Sequence, residues 1–385
     1  MFDELRELIE TSGTEAGLER LIAQYKEEKN YPGVFEARLM AARLSLGLPA
    51  ILNGAPDGAD ESLRKSYEEA QVAAARETGA LFLADGDIYR AWPYYRALGD
   101  KQPIIDALRE ASPDAETVDG LVEIAFHEGV DPKRGFELIL EHYGICRAIT
   151  NFGHYPSDEG RAECAAILVD QLTSELSENI QRAVESVEGR PAQASNLGEL
   201  VQGRDWLFEG NNYYADTSHV SSIVQMSPQW DDPATLRKVI DLTEYGRRLG
   251  EMYQFAGDPP FEDTYTDHAV YLRALLGENV DEAVEHFRAK ISDQPDPFGN
   301  VPAQVLVRLL LEVDRVAEAA ETATRYLADA DPRTLACPSP PELLAAAGDA
   351  EGLEAYARAK GDMLAYAAAV DLVQSVTGPS KRTVA

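Results

Sequence analysis

Four histidines sit where their neighbours could make them chemical. His127 lies in Phe126-His127-Glu128-Gly129, at the end of an expected helix. His154 lies in Asn151-Phe152-Gly153-His154-Tyr155-Pro156, a loop before a helix that Ser157 is expected to cap. His219 follows Asp216-Thr217-Ser218, and His268 closes Glu262-Asp263-Thr264-Tyr265-Thr266-Asp267-His268. On a helix, residues three or four apart share a face, so Asp216 pairs with His219 and Thr264 with His268, with Asp263 the carboxylate just before that turn. A carboxylate beside an imidazole can join it in holding a divalent metal, or can orient it through its second nitrogen. The expectation is that His127, His154, His219 and His268 converge on zinc, iron, manganese or nickel, with a position left open for water. Against it stand the absence of an HExxH spacing and the ordinary use of a histidine near a helix end, which is to bond the last carbonyls.

A second constellation joins carboxylates to aromatic rings. Asp205-Trp206-Leu207-Phe208-Glu209-Gly210-Asn211-Asn212-Tyr213-Tyr214 is dense in groups that grip sugars. Trp206 and Tyr213 offer ring faces, and Asn212 can bridge hydroxyls. Met252 to Asp263 is built alike. Tyr214, Asp216, Asp263 and Tyr265 are the candidates for moving protons. Two carboxyls ~5–10 Å apart would suit glycosidase-like acid and base work, and a Tyr/His pair would suit a β-elimination. Arg247, beside Arg248, could take a substrate carboxylate or phosphate. It could equally pair with Glu244 or Glu251, and Trp206 and Phe208 could be core.

These residues need helices to position them. Apolar residues recur at three and four along Leu5-Leu8-Ile9, Leu18-Leu21-Ile22, Leu121-Ile124-Ala125 and Ile167-Leu168-Leu172-Leu176. Ser112-Pro113 and Asp232-Pro233 each set a capping side chain before a proline, which predicts helix starts. Gly99, Gly144 and Gly277 predict stops. Strand patterns are scarce, and Asn53-Gly54 sits in a loop rather than a hairpin. The chain is read as all-α.

The last third repeats. Leu275-Leu276-Gly277-Glu278-Asn279-Val280-Asp281-Glu282-Ala283, then Leu310 to Ala319, then Leu343 to Gly352, share one pattern, with the Leu-Leu pairs 35 and 33 residues apart. Arg96-Ala97-Leu98-Gly99-Asp100 is an earlier echo. The pattern resembles the tetratricopeptide repeat, whose period is near 34 residues and whose unit is two antiparallel helices. The resemblance implies a helix-hairpin solenoid; its signature Trp, Tyr and Pro positions are not cleanly kept. Such hairpins stack because none can bury its apolar face alone.

The expected organisation is one continuous helical body. Residues 1–120 form N-terminal hairpins, 121–272 hold the candidate site, 273–376 form the repeats and 377–385 are a frayed tail. Further breaks are expected at Gly54 to Asp60 and Glu188 to Gly198. The overall shape is read as a helix-hairpin solenoid or a partial α/α toroid with a loop-built central pocket.

The 385 residues carry a net charge of −32. Nucleic acid and anionic membranes are therefore disfavoured as partners, because binding to phosphate rests on Lys and Arg. Cys146, Cys164 and Cys337 match no metal or redox spacing, and reduced thiols are expected. The start is amphipathic and acidic, unlike a signal peptide, and a cytoplasmic protein is expected. Nucleotide-binding glycine motifs, a GxSxG elbow and an EF-hand loop are absent from the sequence. The reading favours a metal-assisted enzyme (lyase, hydrolase or isomerase) acting on a small polar substrate such as a carbohydrate. The alternative is a tetratricopeptide-like scaffold that holds a protein partner.

Overall fold

The computed structural model describes residues 2–51, 61–292 and 300–377. Gly54 to Asp60, Asn53 and the tail beyond Thr377 lie outside them. The all-α class is observed: among the described residues no strand occurs, and one antiparallel bridge, Ala256–Asp263, closes a turn. No described helix is long and apolar enough to cross a membrane. The chain forms two compact units, Met1–Cys164 and Ala165–Ala385.

The first unit is a run of helices in which successive members pack as hairpins: α1 Phe2–Glu27, α2 Tyr31–Ser45, α3 Glu61–Ala84, α4 Ile88–Leu98, α5 Gln102–Glu110, α6 Val118–Val122 and α7 Pro132–Phe152. The starts follow from local chemistry. Asn30, Asp87 and Asp131 each accept a backbone N–H three residues on, satisfying a donor the helix cannot. Gly99 stops α4 in the left-handed conformation, as its position predicts. A π-helical turn, Glu123–His127, links α6 to the loop before α7.

Two expectations change here. Ser112-Pro113 opens no helix. Asp114 instead accepts the amides of Glu116 and Thr117 in a turn, and the helix waits until Val118. Gly144 ends the first helical stretch of α7 as expected: at φ 78° and ψ 176° it leaves the helical conformation, and a second stretch follows beyond the kink and buries Ala148 and Phe152. Ser157 caps nothing: its hydroxyl donates to the Glu159 carbonyl, and the next helix begins at Arg161.

That helix, α8 Arg161–Glu188, carries the chain across the division. It buries Leu168, Leu172, Leu176, Ile180 and Val184 at a strict spacing of four. The break after Glu188 is observed. The second unit continues with α9 Leu197–Val201, a 3-10 segment Asp205–Asn211, α10 Thr217–Met226, α11 Pro233–Arg248, α12 Thr264–Leu275, α13 Val280–Arg288, α14 Val301–Glu312, α15 Val316–Tyr326, α16 Pro340–Ala346, α17 Ala350–Lys360 and α18 Met363–Thr377. Asp232-Pro233 opens α11 as expected, with the Asp232 carboxylate on the Thr235 N–H.

The repeats become hairpins α12–α13, α14–α15 and α16–α17, and each Leu-Leu pair falls in or at the end of the first helix. Left-handed residues turn the chain at Gly277, Asp314 and Gly348. Ala274, Ala283, Ala303, Ala319 and Ala323 are buried where helices meet, and their small side chains admit close approach. Phe287, Leu306, Leu310 and Leu343 fill the space between. Each such side chain stabilises the unit by about 2 kcal/mol through removal from water. Tyr271, Ala274, Val284 and Phe287 of this cluster seat α12 and α13 against the repeats.

Candidate functional site

The last turn of α11 carries Arg247. Beyond it the chain folds back. The Gln254 side-chain amide donates to the carbonyls of Gly246 at 3.0 Å and Leu249 at 2.8 Å, satisfying the open end of the helix. The Thr264 hydroxyl donates to the Phe255 carbonyl at 2.7 Å, and Gly257 N–H to the Glu262 carbonyl at 3.2 Å. Asp263 then caps α12 by accepting the Thr266 N–H. The fold-back leaves a cavity of about 430 Å³ lined by Arg247, Gln254, Phe255, Glu262, Asp263 and Thr266, among others. Arg247, expected to take a substrate anion, and Asp263, expected to move protons, both line it.

Next to this cavity stands a charged network that the sequence reading missed. Asp267, on α12, is 2% exposed. Its Oδ1 lies 2.7 Å from His286 Nε2, and its Oδ2 accepts from Lys290 Nζ at 2.8 Å and from the Asp263 N–H at 2.9 Å. Lys290 also donates to Glu262 at 2.7 Å. Burial alone would lower the Lys290 pKa, but the hydrogen bonds to Asp267 and Glu262 outweigh it and raise it. Glu262 is held below its usual range: burial would raise it, and the bond from Lys290 prevails. The available signal was the i, i+4 spacing of His286 and Lys290 in an acidic repeat.

The four expected ligands have separate surroundings. His127 is exposed at the end of the π-turn, its ring edge-on to Phe126, and His154 is exposed beyond α7; both belong to the first unit. In the second unit, His219 is half-buried on α10. His268 is 2% exposed, with Nδ1 2.6 Å from the Thr264 carbonyl and its ring stacked on Phe261 at 4.2 Å. Burial pushes its pKa down to about 4, so it is neutral at pH 7 and Nδ1 carries the proton that Thr264 accepts. Among the described residues no three His, Cys, Asp or Glu side chains are gathered so as to hold a metal ion.

The remaining candidates are placed as follows. Asp216 caps α10, accepting the Ser218 N–H at 2.9 Å and its hydroxyl at 2.7 Å; the hydroxyl bond does most to hold the carboxyl below its usual range. Tyr214 donates its hydroxyl to the Leu207 carbonyl at 3.1 Å, and its backbone N–H donates to the Tyr245 oxygen. Tyr265 is fully buried against Gly246, and burial raises its pKa. Trp206 is half-buried. Asn212 and Tyr213 are exposed, with the Tyr213 ring edge-on to Tyr253. Among the thiols, Cys146 is exposed, Cys337 half-buried and Cys164 buried, and all three are free.

No family model matches the chain, and no curated protein is similar to it at a significant level.

Proposed function

We propose that this protein is a helical-repeat binding protein, tetratricopeptide-like in its C-terminal hairpins, whose second unit takes up a small hydroxylated anion of the sugar-acid or sugar-phosphate kind. One observation carries this reading: Arg247 and Asp263 line a single cavity with Gln254, Thr266 and the partly exposed ring of Phe255. A guanidinium accepts a carboxylate or phosphate on two parallel bonds. Asp263 accepts from hydroxyls, and the Phe255 ring covers the C–H face of a pyranose. Lys290 occupies Glu262, which reduces the negative charge an anionic ligand meets. Calorimetric titration with glucuronate, glucose 6-phosphate and glucose tests the reading. Binding of an anionic sugar, and its loss in Arg247→Gln, supports it; heats for glucose equal to those for both anions would count against it.

A second reading keeps the metal-assisted enzyme on a small polar substrate. It is favoured by the Asp267–His286 pair, because a carboxylate that holds one imidazole nitrogen leaves the other to move a proton. Elemental analysis of the purified chain tests the metal. About one zinc, iron, manganese or nickel ion per chain, lost in His286→Ala, would support it. None after each ion is added back would remove it.

A further inference from the structure

The first unit has a larger concavity, of about 1000 Å³, between the end of α3 and the turn into α4 on one side and the end of α5, the 111–117 loop and α6 on the other. Its floor is apolar, with Leu83, Ile88, Ala107, Pro113 and Leu121. At its edge Tyr89 is 61% exposed, beside the backbone of Gly120.

The rim is acidic. Asp85, Asp87, Glu110, Glu116, Asp119 and Glu123 line it, against one cation, Arg90. Three of these carboxylates have structural work. Asp85 takes Lys29 and the Tyr31 hydroxyl, Asp87 caps α4, and Asp119 accepts the Tyr143 hydroxyl. Glu110, Glu116 and Glu123 are exposed and make no ion pair among the described residues.

An apolar floor inside an acidic rim selects its occupant. A second copy of a chain with net charge −32 is repelled. Simple ions would use the rim and leave the floor empty. We propose that this groove docks a cationic amphipathic segment of a partner protein, with Lys or Arg on both sides of an apolar anchor. The anchor fills the floor, the basic side chains reach Glu110, Glu116 and Glu123, and Tyr89 offers its ring face to one of them.

The test uses the full chain and a fluorescent twelve-residue peptide repeating Lys-Arg-Leu-Ala, read by anisotropy at 0.15 M salt. One comparison peptide replaces each Leu with Ser at the same charge. One protein variant combines Glu110→Lys, Glu116→Lys and Glu123→Lys. A control reverses Glu282, Glu321 and Glu351, also exposed, in the second unit. The expected result is saturable binding that weakens about tenfold or more in the groove variant, less than about twofold in the control, and about tenfold for the Ser peptide. Circular dichroism confirms that both variants keep their helices. Equal weakening by the two variants, equal affinity for the two peptides, displacement by spermidine alone at its own charge equivalence, or no binding at millimolar peptide would each overturn the proposal.

Discussion

His286 Nε2 lies 2.7 Å from Oδ1 of Asp267, a carboxylate that is almost wholly buried. The two residues come from the two helices of one hairpin, α12 and α13. Asp267 therefore ties the hairpin together and, through the Asp263 N–H, fixes the entrance to α12 on which the cavity is built. One buried acid thus serves both stability and site geometry.

Asp267→Asn keeps the shape and removes the charge. It leaves the Lys290 ammonium with Glu262 alone and weakens the bond from His286. The expected cost is about 2–3 kcal/mol, below the full figure for breaking a buried pair because Lys290 and His286 are partly solvated. His286→Gln keeps a donor and should cost about 1 kcal/mol. Urea unfolding measures both, and equal small losses would mark the network as a solvated contact.

His268 makes stability depend on pH. Its folded pKa, about 4, lies below the 6.5 of a free imidazole. Above pH 6.5 neither state holds the proton, so the residue adds no slope. As pH falls from 6.5 toward 4 the unfolded chain binds a proton the folded chain refuses, and stability is lost by up to about 3 kcal/mol. In His268→Gln that part of the slope should vanish. An unchanged slope between pH 6.5 and 4 would show that His268 takes up its proton in the folded state.

The helices were readable because their starts and periods are local. Asp232-Pro233 and the buried stripe of α8 needed only neighbours within a few residues, and the Leu-Leu spacing announced the hairpins. Ser112-Pro113 misled because Asp114 offers the backbone a competing turn. The site was less readable. Arg247 and Asp263 were chosen from aromatic and charged surroundings, but Asp267 and His286 were passed over, since their meeting depends on how α12 packs against α13. Asp216 and His268 stood out for their types, and the structure gives them a cap and a core position that no pattern at that spacing distinguishes from a site.

Asp216 offers a direct separation of capping from chemistry. Asp216→Ala should cost about 1 kcal/mol, and Asp216→Asn almost nothing, because an amide oxygen accepts the same N–H. Thermal unfolding of both variants reads the difference. Loss of ligand binding in Asp216→Asn with stability intact would assign it a chemical role instead.

Gly246 on α11 faces the ring of Tyr265. A Cβ there would lie 2.3–2.5 Å from three ring atoms. Both residues are buried and the ring cannot swing clear, so Gly246→Ala should cost about 2 kcal/mol or more through overpacking. Adding Tyr265→Leu should recover part of it. No loss in the single variant would mean that α11 and α12 are looser than this contact requires.

The claim that the second unit binds a hydroxylated anion rests most directly on Arg247. Its guanidinium is half-exposed and only 3.5 Å from Glu244 at its closest pair, so Arg247→Gln should leave the fold intact. The measurement is the shift in melting temperature on titrating glucuronate and glucose 6-phosphate into the wild-type chain and into Arg247→Gln. The account predicts a saturable rise for at least one anion in the wild type and about tenfold weaker binding in the variant, the usual worth of a charge-assisted pair. No rise with either anion, or the same rise in both proteins, would contradict it.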